Sequence, residues 1–115
     1  MASVFYKATS DLIGGSVTSL DLNGDGTGDA VFGAAQSGIS NGIVTVVYGG
    51  AAGFDPSVDL STLTAAQGFS IVGAVSDGEF GAVVARADNL DGAGDALLIG
   101  SQAAGTVSVV FSGTT

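Results

Sequence analysis

The chain has 115 residues, 46% of them hydrophobic, with 2 basic and 11 acidic side chains and a formal charge of −9. So few cations cannot neutralise a phosphate backbone, which argues against nucleic acid as a partner and, for the same reason, against an anionic membrane surface. Cysteine and histidine are absent, so disulfides, thiolate metal sites and Cys- or His-based catalytic triads are excluded.

The length suits one small domain with a thin core. The acids do not form a solvated tail. They sit in glycine-punctuated loops between apolar segments, whereas disordered acidic chains are poor in apolar residues. No apolar run approaches the roughly 18 residues of a membrane span. The first residues, Met-Ala-Ser-Val-Phe-Tyr, lack the basic and apolar regions of a signal peptide. An intracellular chain and a piece of an exported protein both fit.

In chain order, the first short strand is expected over 4–7. Ser16–Leu20 follows, then an acidic loop over 21–29, a strand over 30–33 and another over 43–48. Leu60 and Leu63 have the spacing of one helical turn, in a segment read as a loop. A strand over 69–72 precedes the second half, which offers strands over 82–85 and 96–99, a second acidic loop over 87–95, and Thr106–Phe111. Valine, isoleucine and phenylalanine favour strands, and the 20 glycines mark turns. The runs IVTVV and ALLI barely alternate, so the strands over 43–48 and 96–99 read as buried on both faces, as does the strand over 106–111. That pattern suits small sheets stacked between neighbours rather than one sheet with a wet side.

The two halves are copies of one unit. Asn23, Asp25, Gly26, Gly28 and Asp29 recur as Asn89, Asp91, Gly92, Gly94 and Asp95, each 66 residues on. GIVTVVYGG from Gly42 recurs as GTVSVVFSG from Gly105, 63 residues on. The chain therefore divides into a first blade over 1–50, with its loop at 21–29, and a linker with a second blade over 51–115, with its loop at 87–95.

The loop DLNGDGTGD places Asp21, Asn23, Asp25 and Asp29 at positions 1, 3, 5 and 9, with the Thr27 carbonyl at position 7. Oxygens at alternating positions of a glycine-bent loop suit calcium, which takes six to eight oxygen ligands; magnesium, with its tighter octahedron, ranks second. The competing reading is a plain Asx-Gly turn, against which stands the repulsion among three carboxylates in nine residues. An EF-hand would need a carboxylate at position 12 and flanking helices, but Phe32 stands there and a strand follows the loop. The second loop keeps Asn89, Asp91, the Ala93 carbonyl and Asp95 at positions 3, 5, 7 and 9, but Ala87 at position 1 offers no ligand oxygen and Asp88 comes one step late. Metal there, or a turn without metal, both stay open.

The segment FGAVVARADNLDGAGDALLIG resembles the FG-GAP repeat of integrin α-subunit propellers and their bacterial relatives. Phe80-Gly81 matches the FG element, while Gly33-Ala34-Ala35 and Gly100-Ser101-Gln102 stand where that family has GAP, without its proline. Copy one carries Gly14-Gly15 in place of FG. The resemblance implies an all-β chain of two four-stranded antiparallel blades, with the metal loop joining the first two strands of each. It also implies a non-catalytic role in adhesion, ligand binding or scaffolding, at the cell surface or outside the cell, as part of a larger protein. A protein or glycan ligand is the expected partner.

Two blades do not close a propeller, which has four to eight. Closure by identical chains is expected, with a trimer of six blades favoured. A self-assembling or designed fragment without a ligand is the alternative. A carbohydrate-active enzyme, which would need two carboxylates flanking a sugar cleft, ranks lower: outside the loops the carboxylate pairs are Asp55 with Asp59 and Asp77 with Glu79, all in turn-like segments.

Overall fold

The computed structural model describes residues 4–6, 14–35, 41–50, 57–74, 78–88 and 94–111. Within them lie nine strands, β1 (Val4–Tyr6), β2 (Ser16–Leu20), β3 (Asp29–Ala34), β4 (Ile43–Val47), β5 (Ser57–Asp59), β6 (Gly68–Val72), β7 (Phe80–Ala87), β8 (Ala96–Ser101) and β9 (Thr106–Phe111). A single 3-10 turn, Leu60–Thr62, falls at the Leu60–Leu63 spacing. The chain is all-β, as expected.

Two antiparallel sheets carry the fold, β2-β3-β4-β6 and β7-β8-β9, with neighbours consecutive in the chain except where β6 follows β4. Their open, meandering order is consistent with propeller blades. The segment over 68–72 is the fourth strand of the first sheet, paired along β4 from Ile43↔Val72 to Val47↔Gly68. The first sheet thus reaches past the division expected at residue 50. Among the described residues the second sheet has three strands rather than the expected four. The first strand, expected to be the counterpart of 69–72, instead pairs in parallel with β5.

The sheets stack through faces set by pairing register. In the first sheet Ser16↔Gly33↔Val44 and Thr18↔Val31↔Val46 form rows on one face. The rows of the second sheet that face them hold Val84, Ile99 and Leu97. Together with Leu20, Leu22 and Phe80, these aliphatic side chains make one buried cluster. Two glycines permit this approach. A Cβ at Gly33 would collide with the Gly81 carbonyl and the Ser16 hydroxyl, and Ser16 Oγ donates to the Gly81 oxygen across the same gap at 2.8 Å. The register of β7 slips between Phe80 and Val83, and this bulge re-aims the strand after the FG element.

β4 is buried along its whole length, as its unbroken apolar run requires. β9 is open on one side within a single chain. Val107, Val109 and Phe111 are 68%, 40% and 45% exposed, because no described element lies on the outer face of the second sheet. The outer face of the first sheet is covered in its middle and open at Val17 and Val72. Phe5 of β1 lies on Phe32, with ring centroids 4.9 Å apart, and Ala34, Ile43, Thr45 and Val47 on that side are buried.

Candidate functional site

The loop over 21–29 joins β2 to β3, where the resemblance puts its metal loop. Leu20↔Asp29 is the last pair of the ladder, so the intervening residues must turn back over a short span. Gly24 and Gly26 make this possible with φ of 76° and 85°, a left-handed backbone that side chains with a Cβ rarely adopt.

The acidic side chains shape the loop by accepting its backbone N–H groups. Asp21 Oδ1 accepts from Asp25 N at 3.1 Å and Oδ2 from Gly26 N at 2.8 Å. Asp25 Oδ1 accepts from Thr27 N at 2.9 Å. These contacts are exposed, and Asn23 is exposed beside them. Asp29 is different, for it is 1% exposed. Its Oδ2 accepts from Leu22 N at 2.9 Å and Asn23 N at 3.3 Å, and its Oδ1 accepts from Gly49 N at 3.0 Å. One carboxylate thus ties the entry of the loop to the chain leaving β4. Three charge-assisted bonds offset the cost of burying it.

The second loop is described only at its ends. Asn89, Asp91 and Ala93 lie outside the described residues, as do Asp55 and Asp77. Asp88 faces Arg86, with Nε to Oδ1 at 3.1 Å. Asp95 is half-buried and turns toward the other repeat, where its Oδ2 accepts from Asp21 N at 3.3 Å. This contact across the two sheets was not legible in the sequence, because nothing local to Asp95 marks Asp21 as its neighbour.

The donors of the first loop are hard oxygens, which fit calcium or magnesium in kind. Each carboxylate oxygen has two lone-pair positions, so the single N–H bond on each oxygen of Asp21 leaves room for a cation. In position the fit is incomplete: among the described residues no three acidic side chains are gathered closely enough to hold a metal ion. Asp21, Asp25 and Asp29 are spread along the loop by their separate N–H partners.

No family model matches the chain. It is similar to two curated proteins, both phosphatidylinositol-glycan-specific phospholipase D. The bovine one (Bos taurus) is 35% identical over 117 aligned residues, which cover 97% of this chain. The human one (Homo sapiens) is 36% identical over 118, covering 98%. The chain spans only 14% of the length of either relative.

Proposed function

We propose that the chain is a calcium-binding pair of propeller-type repeats, non-catalytic, with a structural, adhesive or ligand-binding role. One observation carries this reading. The loop between the first two strands of a blade-like sheet carries Asp21, Asn23, Asp25 and Thr27 at alternating positions, and Asp29 at its end is anchored by three backbone N–H groups. Calcium would draw Asp21 and Asp25 inward and relieve their mutual repulsion. The resemblance to FG-GAP repeats supports the same assignment, and an extracellular location, where calcium is plentiful, follows from it. A protein or glycan ligand fits such a module.

The phospholipase activity in the relatives' name is not carried over here. The match spans a small part of those proteins, and this chain lacks histidine and cysteine. The runner-up is a loop that is purely structural, favoured by the fact that its own N–H bonds already close it.

Thermal melts with calcium, magnesium and chelator decide between them. Binding to the folded state alone stabilises by RT ln(1 + [L]/Kd), about 2.7 kcal/mol at a hundredfold excess over Kd. Calcium is expected to raise Tm more than magnesium at equal concentration, and chelator to lower it. A Tm indifferent to all three leaves the structural turn.

A further inference from the structure

Asparagine followed by glycine is a reactive pair, because glycine has no Cβ to keep its nitrogen away from the preceding side chain. The described residues hold two such pairs, Asn23-Gly24 and Asn41-Gly42, and one related Asp-Gly pair, Asp25-Gly26. The fold restrains two of the three. Asn41 donates from Nδ2 to the Gly73 oxygen at 2.7 Å, Gly42 is buried, and a Cβ there would run into the Phe80 backbone. In Asp25-Gly26 the Gly26 N–H is engaged with Asp21 Oδ2 at 2.8 Å, and Asp25 Oδ1 accepts from Thr27 N at 2.9 Å.

Asn23-Gly24 is restrained at neither reacting group. Both residues are exposed, and a Cβ at Gly24 would meet nothing within 4 Å beyond its immediate neighbours in the chain. The Asn23 backbone N–H is tied to Asp29 Oδ2. Among the described residues, though, no hydrogen bond engages the Asn23 carboxamide or the Gly24 N–H. Nucleophile and target therefore stand side by side in solvent, in a turn that the glycine keeps in a left-handed backbone with φ of 76°.

We propose that Asn23 is a site of self-modification, converted to aspartate and isoaspartate by its own neighbour. The Gly24 nitrogen gives up its proton to hydroxide and attacks Cγ of Asn23. A C–N bond forms, and the side-chain nitrogen takes a proton from water and leaves as ammonia, which closes a succinimide ring. Water then opens the ring at either carbonyl. One opening yields aspartate. The other yields isoaspartate, in which the chain runs through Cβ and Cγ and is one backbone atom longer. Either product adds a negative charge to a loop that already carries Asp21, Asp25 and Asp29. The longer backbone also displaces Asp25 and Gly26, whose N–H groups close the loop onto Asp21. The modification does not draw on the calcium assignment; only its effect on a bound cation, through position 3 of the loop, rests on that reading.

Ageing the folded protein at mildly alkaline pH, followed by fragmentation mass spectrometry, tests it. Chelator is present throughout, so the outcome does not depend on whether the loop takes calcium. The expected result is conversion at Asn23, with isoaspartate confirmed by an isoaspartate-specific methyltransferase. Asn41 is expected to react more slowly by about tenfold or more, equivalent to about 1.4 kcal/mol of added barrier. In denaturant the two Asn-Gly pairs are expected to react at similar rates, because the fold makes the difference between them. Asn23→Gln, which would have to close a larger ring, is expected to gain no acid at that position over the same period. The acidic fraction, separated by anion exchange, is expected to melt below the unmodified protein. An Asn23 that persists in the folded protein as long as Asn41 overturns the proposal. So does a contrast that survives in denaturant, since local sequence and not the fold would then set it. An isoaspartate form that melts with the unmodified protein overturns the stated effect on the loop.

Discussion

Asp29 and Asp95 occupy the same place in two copies of one loop, yet the fold uses them differently. Asp29 is sealed in its own repeat, where three backbone N–H groups converge on it from the loop after β2 and the chain leaving β4. Asp95 is half-buried and reaches the other repeat through a single longer bond to Asp21 N. A shared motif is thus a shared set of lone pairs, and which donors find them depends on what the rest of the chain brings near. The first loop is organised from within. The end of the second loop is organised in part by its neighbour.

The largest test of that contrast is Asp29→Ala, which leaves three N–H groups without their acceptor. Each buried donor left unmade costs about 1–3 kcal/mol, so a loss of about 3 kcal/mol or more is expected in denaturant unfolding, enough to unfold a marginal domain. Asp95→Ala is expected to cost only about 1 kcal/mol, the net worth of one part-exposed bond. Equal losses would erase the distinction.

Metal response sharpens the same comparison. Asp21→Ala or Asp25→Ala is expected to abolish the rise in Tm with calcium, about 2.7 kcal/mol at a hundredfold excess over Kd, while Asp91→Ala lowers it less. The reason is the missing ligand oxygen at Ala87. Calcium titrations of melting curves read this directly, and equal effects from the two loops would reverse the ranking.

The glycines of the two sheets supply a third contrast. Gly33→Ala drives a Cβ into the Gly81 carbonyl and the Ser16 hydroxyl, and overpacking between sheets typically costs about 1–3 kcal/mol. Gly100 holds the equivalent register position, but its Cβ would meet Val83 at an ordinary 3.5 Å. Gly100→Ala is expected to change unfolding stability by no more than about 0.5 kcal/mol. A large loss there would mean that the outer face of the second sheet is as tightly covered as the inner face of the first.

Much of this was readable from residues alone, and the part that was not has a common cause. The repeat offset of 66 holds at Asp29 and Asp95, but the paired strands align at 67, as with Gly33 and Gly100 (100 − 33 = 67). One residue of slip exchanges the two faces of a strand. Leu97 and Ile99 therefore point at the first sheet, while Leu98 stands in a row with exposed Val109. Equal apolar content in β4 and β9 likewise said nothing about which one would be covered.

What the sequence determined by itself was local: an all-β chain, strands near their observed bounds, and a turn at 21–29 rich in carboxylates and bent by glycine. β-branched runs and Asp-Gly turns act through neighbouring residues, so one sequence suffices to read them. Tertiary structure alone decided the place of 68–72 as the fourth strand of the first sheet, the parallel pairing of β1 with β5, the burial of Asp29 under Gly49, and the reach of Asp95 to Asp21. Each joins segments 20 or more residues apart, where register, bulge and close glycine contact choose the partner and local preference does not.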